Sequence, residues 1–215
     1  GSINIQSGLM RFNSVYNQTG DLTVAPGAQL VLNGPTSFDL SAVVNASSVS
    51  IENRGYATVK AIFKVTDRLT IGAPTTFLPG AVPDLTSATI AFATNGANMV
   101  LDLSSGRRVS MAGLELASGA TLRGSDSFVV TDHFQWRGGT LQGTGNISVL
   151  GPATISGGGN PRIGEVKTLT LAGDSTLTTY IGLDGAATLA IAPTGTFNFM
   201  GDFAISGGTM QNAGI

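Results

Sequence analysis

Phe134-Gln-Trp-Arg-Gly-Gly-Thr-Leu-Gln-Gly-Thr-Gly145 is the stretch that decides the fold, because it recurs as Phe203-Ala-Ile-Ser-Gly-Gly-Thr-Met-Gln-Asn-Ala-Gly214. Phenylalanine, Gly-Gly-Thr, glutamine and the last glycine stand at the same offsets in both copies. The copies begin at residues 134 and 203, and this separation divides into three periods of about 23 residues. Self-similarity at such a period predicts a repeat architecture in which each unit packs on the next.

A second pair of segments supports the same reading. Leu22-Thr-Val-Ala-Pro-Gly-Ala-Gln-Leu-Val-Leu-Asn-Gly34 matches Leu189-Ala-Ile-Ala-Pro-Thr-Gly-Thr-Phe-Asn-Phe-Met-Gly201 in its apolar positions and in its turn residues. Elsewhere, short runs with an apolar residue at every second position end at Gly, Pro, Asn or Ser, which is typical of strands. Several of these runs begin about twenty residues apart, and helix signals are nearly absent.

These patterns together predict the fold class. A strand of a few residues with one apolar face cannot bury that face alone, but coils stacked in parallel register bury it against their neighbours. Glycine, asparagine and proline provide the corners, and parallel crossovers are nearly always right-handed. We therefore predict an all-β, right-handed parallel β-helix (β-solenoid) of about nine coils, each of roughly 20–24 residues.

The sequence predicts one domain. Residues 1–215 are interpreted as a single β-solenoid fragment of a larger protein, with residues 1–2 as a cloning scar and further repeats of the same chain flanking it. Three segments that disturb the period, 53–68, 78–85 and 157–164, are expected to leave the solenoid surface as loops, where binding residues often lie. The pattern does not fix coil boundaries between residues 35 and 110.

Composition excludes several functions. The chain has no cysteine, so a disulfide, a catalytic thiolate and cysteine-ligated zinc are excluded. Charged residues make up 11% of the chain and the net charge is −2, so nucleic acid is not an expected partner. No run of 18 apolar residues is present, so direct membrane insertion is not expected. The single histidine and the lack of calcium-binding nonapeptides predict no metal site, and no cofactor is predicted.

The glycine-rich region also resembles a known group of proteins. The stretch at 134–145, followed by Ile147-Ser-Val149 and Gly157-Gly-Gly159, is similar to the repeats of large bacterial exoproteins. These are the filamentous-haemagglutinin-like and autotransporter-passenger adhesins, and the resemblance covers roughly residues 110–215. It implies a secreted or cell-surface location and a role in adhesion, cell–cell interaction or display. The implied partner is a component of a host or neighbouring cell surface, or a polysaccharide. The resemblance supplies no functional residue.

Two single residues invite a functional reading, and the repeat argues against both. Trp136 is the only tryptophan, but its counterpart in the second copy is Ile205, which favours a core position over sugar stacking. His133 follows Asp132, which suggests acid–base chemistry, but its counterpart is Asp202, which favours a polar strand edge. No catalytic residue is predicted, and the chain is not expected to be an enzyme.

Four arginines are the candidate charged binding face: Arg107, Arg108, Arg123 and Arg137. They are expected to stack on one side of successive coils near three aspartates, Asp102, Asp126 and Asp132. Ion pairing between coils explains the same grouping more simply, with each exposed pair contributing roughly 0–1 kcal/mol.

Three functional interpretations follow. The first is a structural or adhesive segment that acts as a stiff rod or a display surface. The second is a carbohydrate-binding module on a β-helix, with three tyrosines as candidate contacts, Tyr16, Tyr56 and Tyr180. The third is a polysaccharide lyase or hydrolase, which needs carboxylates stacked on one face.

Overall fold

A computed structural model describes residues 1–52, 55–94, 99–165, 167–201 and 204–214. The elements of regular secondary structure in these residues are all β-strands. The strands of the first half of the chain are β1 (Ile3–Ile5), β2 (Leu9–Phe12), β3 (Tyr16–Gln18), β4 (Asp21–Leu32), β5 (Thr36–Phe38), β6 (Val43–Ile51), β7 (Ala57–Val59), β8 (Ile62–Ile71), β9 (Thr75–Phe77) and β10 (Val82–Phe92). Those of the second half are β11 (Val100–Leu103), β12 (Val109–Leu116), β13 (Thr121–Arg123), β14 (Phe128–Leu141), β15 (Ile147–Val149), β16 (Ala153–Ile163), β17 (Thr168–Leu171), β18 (Asp174–Leu177), β19 (Ile181–Ile191), β20 (Thr196–Phe199) and β21 (Ile205–Asn212).

The strands pair in parallel with strands of the adjacent coils, and they form three stacks that we call sides 1, 2 and 3. Side 1 contains residues 3–5, 22–24, 43–46, 62–65, 82–85, 109–111, 128–130, 147–149, 168–171, 188–191 and 209–212. Side 2 contains residues 9–12, 29–32, 48–51, 68–71, 89–92, 113–116, 133–136, 153–155, 174–177 and 196–199. Side 3 contains residues 16–18, 36–38, 57–59, 75–77, 100–103, 121–123, 140–141, 162–163, 181–183 and 205–207. The longer strands turn a corner and so belong to two sides.

Coils are numbered from the N-terminus, and each runs from side 1 through side 2 to side 3. Coils 1 to 10 cover residues 3–18, 21–38, 43–59, 62–77, 82–103, 109–123, 128–141, 147–163, 168–183 and 188–207.

The predicted fold class is confirmed: the described chain is an all-β parallel β-solenoid of about ten coils. The right-handed sense stays a prediction. About nine coils were predicted because a period of 23 residues was assumed for every coil. On side 2, register partners are separated by as few residues as from Leu30 to Val49 and by as many as from Ile90 to Leu114. Most coils are shorter than 23 residues, so one more fits in the chain.

Alternation along each strand explains the core. On side 2, Leu30, Val49, Leu69 and Ile90 are register partners in coils 2 to 5, and all four are buried. The next residue along each of these strands faces outward. The interior columns also contain aromatic rings in edge-to-face contact, such as the 5.4 Å pair formed by Phe38 and Phe63. Because each coil covers the next, even strands of three residues contain completely buried side chains, such as Val59 in β7 and Phe77 in β9.

Trp136 is a core residue, as predicted. It is 0% exposed and its ring lies 5.8 Å from that of Phe134. Its indole Nε1 is buried and has no hydrogen-bond partner among the described residues. The side chain therefore contributes apolar surface to the interior, and it is not available for stacking on a sugar.

The predicted equivalence of 134–145 and 203–214 is wrong. Trp136 pairs with Ile155 on side 2, whereas Ile205 pairs with Ile181 on side 3. The two copies are therefore not a whole number of coils apart. Phe203 and Asp202, which the comparison also used, lie outside the described residues.

The two copies share a corner rather than a side. The pairs Gly138–Gly139 and Gly207–Gly208 all have positive φ angles, which are costly for any residue with a Cβ. The first pair turns the chain from side 2 to side 3, and the second turns it from side 3 to side 1. The other sequence pair does occupy equivalent positions: Leu22 and Leu189 both lie on side 1.

The three segments predicted to leave the surface as loops instead follow the coils, a further correction. Segment 53–68 contains β7 and most of β8, and segment 78–85 consists of the corner at 78–81 and the first residues of β10. In segment 157–164, residues 157–163 belong to β16, where Gly159 still pairs with Gly138. Asn53 and Arg54 lie outside the described residues. Proline, glycine and charged residues suggest surface loops in a sequence, but outward strand positions and tight corners accept all three.

Candidate binding groove

A groove on side 2 is the candidate site. It forms because side chains of different length occupy the same register position in successive coils. Thr70, Ala91, Glu115 and Gln135 occupy the same outward position in coils 4 to 7. Ala91 is the smallest of them and is only 2% exposed, because the longer side chains of neighbouring coils cover it. The result is a depression of about 540 Å³, within the size range of small-molecule sites.

One wall of the groove is an ion pair that bridges two coils. Arg68 of coil 4 donates two hydrogen bonds to Glu115 of coil 6, from Nη2 to Oε2 at 2.7 Å and from Nη1 to Oε1 at 3.3 Å. The arginine reaches across coil 5 because Thr89, its register partner there, is small. The hydrogen bonds from Arg68 hold the pKa of Glu115 below its usual range, and burial opposes this effect.

The opposite wall is formed by Arg137 and Gln135. Arg137 is exposed and donates one hydrogen bond in the described part of the chain, from Nη2 to Oε1 of Gln135 at 2.9 Å. Its charge also helps to lower the pKa of Glu115. Two guanidinium groups and one carboxylate therefore line the groove, so its local charge is positive.

His133 lies beside the groove, on side 2 of coil 7. Its ring rests against Gly113 of coil 6, where any Cβ would collide with imidazole atoms and with Thr89. Nδ1 is 3.3 Å from Asp132 Oδ2, and Nε2 is 3.8 Å from Glu115 Oε1. The arrangement joins the histidine to the charged network around Arg68. The expectation that the chain has no catalytic residue stays a prediction.

The four arginines predicted to share one side do not do so. Arg107 and Arg108 lie between β11 and β12, at a corner from side 3 to side 1. Arg123 is an outward residue of side 3, and Arg137 follows side 2 at its corner with side 3. Coil lengths differ, so spacing along the chain did not indicate which residues would share a side. Only Arg137 contributes to the groove.

Ion pairing between coils, the simpler explanation of the charges, is observed for one arginine and one aspartate of that group. Arg123 Nε lies 2.9 Å from Asp102 Oδ2, and the two residues are register partners on side 3. Arg162 and Asp184 form a similar pair. Such pairs join adjacent coils at the surface.

Asp126 has a different role from the arginine partner that was expected. It is 4% exposed and accepts three hydrogen bonds from the preceding coil. The donors are Ser105 N at 2.8 Å, Ser105 Oγ at 2.6 Å and Gly106 N at 2.8 Å. The carboxylate therefore satisfies the backbone of a corner, a structural role.

Lys167 is a buried charged residue that the sequence reasoning missed. It is 0% exposed, and Nζ donates a hydrogen bond to the carbonyl oxygen of Gly145 at 2.5 Å. The same nitrogen lies 5.2 Å from the ring centroid of Phe128. Burial lowers the pKa of Lys167 to about 8, and the nearby charge of Glu165 partly opposes this. A signal was present, because residue 167 precedes the inward Leu169 by two positions.

The candidate tyrosines do not share a platform. Tyr16 is partly buried and stacks on Phe12 with ring centroids 4.0 Å apart. Tyr56 and Tyr180 are each 55% exposed, but they lie at the corners between sides 2 and 3 of coils 3 and 9. Six coil steps of about 4.8 Å each separate them, which is further than one sugar unit reaches.

Comparisons with known proteins add no identity, since no protein-family model, no curated protein and no solved structure matches the chain. The described residues include no helix with the length and apolar character needed to cross a membrane. They also include no group of three or more histidine, cysteine, aspartate or glutamate residues placed to hold a metal ion. The fold and the groove are therefore the observations from which function is argued.

Proposed function

We propose that the chain is a structural and adhesive β-solenoid segment of a secreted or cell-surface bacterial protein. In this role it acts as a stiff rod or display surface in adhesion or cell–cell interaction. The observation that supports this proposal is the continuity of the three sides, each of which pairs in parallel from coil 1 to coil 10. Rod-like stacking of this kind places a surface at a distance from its point of attachment.

Stiffness follows from the pairing. Each interior coil exchanges backbone hydrogen bonds with the coil before and the coil after on all three sides. Coils spaced about 4.8 Å apart give a rod of roughly 45 Å for this segment. Opening one coil breaks strand pairs on three sides and exposes the apolar interior, so local opening is costly.

Secretion, cell-surface location and adhesion are supported by the sequence resemblance to bacterial adhesin repeats in residues 110–215. A surface of low charge also suits contact with a host or neighbouring-cell component or with a polysaccharide, and it does not suit nucleic acid.

Solution scattering and limited proteolysis test the rod. We expect an elongated particle with a constant cross-section and slow cleavage within the strands of coils 2 to 9. A globular scattering profile, or rapid cleavage within those strands, would contradict the proposal.

A bead-binding assay tests adhesion separately. Beads coated with the folded chain are expected to attach to bacterial or epithelial cells more often than beads coated with an Ile147→Asp variant, whose core is disrupted. Equal attachment of the two bead types would remove the adhesive part of the proposal while the scattering result still tests the rod.

Carbohydrate binding is the second candidate function, and the groove on side 2 is the observation that favours it. A polysaccharide lyase or hydrolase is the less favoured alternative on the same fold. Release of new reducing ends from polysaccharide, lost on Glu115→Gln, would support the enzyme and contradict binding alone.

A further inference from the structure

We propose that the groove on side 2 binds an acidic saccharide, with a uronate carboxylate paired to Arg137 and a sugar ring over the small apolar residues of the floor. This deepens the second candidate function, carbohydrate binding, on which it rests, and it does not depend on the rod function.

The shape of the groove suits a short run of sugar rings. Its accessible floor is made by Ala93 and Ala117, whose side chains are too short to fill the space between the walls. The hydroxyl groups of Thr70 and Ser118 and the amide group of Gln135 lie at its margins and offer hydrogen bonds to sugar hydroxyls. An apolar floor with a few polar groups around it is the usual character of a small-ligand site.

The charge of the groove selects an anion. Arg68 is neutralised by its bidentate bond with Glu115, and the lowered pKa of Glu115 keeps that carboxylate ionised. Arg137 has only a neutral amide, Gln135, as its hydrogen-bond acceptor in the described part of the chain. A guanidinium has five N–H donors in a planar fork, so Arg137 retains donors for a bidentate carboxylate.

The geometry disfavours other classes of anionic partner. An extended peptide usually adds to an open sheet edge, but the groove lies on a strand face whose backbone already pairs with coils on both sides. Nucleic acid needs many cationic contacts along a backbone, whereas this groove has two arginines and the chain carries a net charge of −2. A carboxylated sugar matches both the single available cation and the shallow floor.

Calorimetry with oligogalacturonate tests the proposal, and its methyl ester is the matched neutral ligand. The folded chain is expected to bind the acid form, and binding is expected to weaken about tenfold with the ester, because a charge-assisted hydrogen bond is lost. Arg137→Gln is expected to weaken binding by a similar factor of about ten for the same reason. Ala117→Phe, which fills the floor, is expected to abolish binding.

Arg123→Gln is the control variant, because Arg123 is an exposed arginine on another side. It is expected to bind oligogalacturonate as the unmodified chain does. The proposal is overturned by no binding of the acid oligomer by the folded chain, by equal binding of acid and ester, or by unchanged binding by Arg137→Gln. Poly-glutamate binding as tightly as oligogalacturonate would also overturn it, since that polymer has carboxylates but no sugar rings. Circular dichroism confirms that each variant is folded, and the scattering test of the rod is independent of all these outcomes.

Discussion

Two charged regions lie within a few coils of each other and are built in opposite ways. The groove exposes Arg68, Glu115 and Arg137 on side 2. The buried polar corner, which we define as Ser105, Asp126, Gly145 and Lys167, lies where side 3 turns into side 1. In the groove, charged side chains bond mainly to each other. In the buried polar corner, they bond to backbone groups.

The two regions differ in whether the charged side chains serve as hydrogen-bond partners for backbone groups. A corner leaves N–H and C=O groups without strand partners, and burying them unpaired is costly, so Asp126 and Lys167 supply partners from an adjacent coil. On side 2 the strands already pair, so charged side chains there have no backbone to satisfy. Of these side chains, Arg137 keeps donors available to a ligand, because Arg68 and Glu115 bond to each other. The following predictions separate the two regions.

The largest expected effect on the free energy of unfolding comes from placing a charge in the apolar interior next to the buried polar corner. Ile147 follows this corner, is 0% exposed and pairs with Phe128 and Leu169. Replacing it with aspartate buries an unpaired charge and is expected to cost about 5 kcal/mol, enough to unfold the chain. Leu171→Asp is expected to act in the same way.

Chemical denaturation followed by circular dichroism measures this effect, and Ser148→Asp is the control. Ser148 is the outward neighbour of Ile147, so its change is expected to stay within about 1 kcal/mol. An unaltered denaturation curve for Ile147→Asp would show that the strand register is wrong.

Asp126→Ala is expected to have the next largest effect. It removes three hydrogen bonds: it leaves the buried N–H and hydroxyl groups of Ser105 without their acceptor, and it also removes the acceptor of the N–H of the exposed Gly106. We expect a loss of about 3 kcal/mol of unfolding free energy. Asp132→Ala, whose side chain is 78% exposed, is the matched control and is expected to change stability by about 0.5 kcal/mol or less. Similar losses for the two variants would refute the structural role of Asp126.

Lys167 predicts a pH dependence of stability. Its folded-state pKa is about 8 and its ordinary value is 10.5, so above pH 8 the unfolded chain binds more protons than the folded chain. Stability therefore rises with pH above 8, by about 2 kcal/mol before pH 10. Tyr16, whose pKa is raised by burial, lowers stability only above its ordinary value of 10.0, which sets the upper limit of the measurement.

Denaturation at several pH values between 8 and 10 tests this prediction, with Lys167→Met as the comparison. The methionine variant lacks the titrating amine, so its stability is expected to vary less over that interval. If both proteins show the same pH dependence, Lys167 is not the group responsible.

The smallest expected effect is in the groove. Arg68 and Glu115 are each partly exposed, so a double-mutant cycle with Arg68→Gln and Glu115→Gln is expected to give a coupling of about 0.5 kcal/mol. A coupling as large as the loss expected for Asp126→Ala would contradict the distinction between the two regions.

The fold was predictable because burial of one face follows directly from alternation. Leu169 and Leu171, for example, lie two residues apart and both are buried, as period two requires. Trp136 was assigned to the core correctly, although the argument used a counterpart on a different side. The burial of Lys167 was not predicted, although the same alternation places residue 167 inward, two positions before Leu169.

The site was not predictable in the same way. Arg68 and Glu115 are 47 residues apart, and no spacing rule joins coil 4 to coil 6 across coil 5. Arg137 was among the predicted arginines, but its actual neighbours in the groove are Gln135 and Glu115 rather than Arg123.

The sequence by itself therefore determined the parallel β-solenoid, the strand faces that are buried and the Gly-Gly corners, because each depends on residues close together in the chain. Only the tertiary structure decided which residues share a side and where the groove lies. The physical reason is that backbone pairing fixes the register of strands but leaves the length of each corner free. Each change in corner length moves the residues that follow it, and with them the neighbours of every charged side chain.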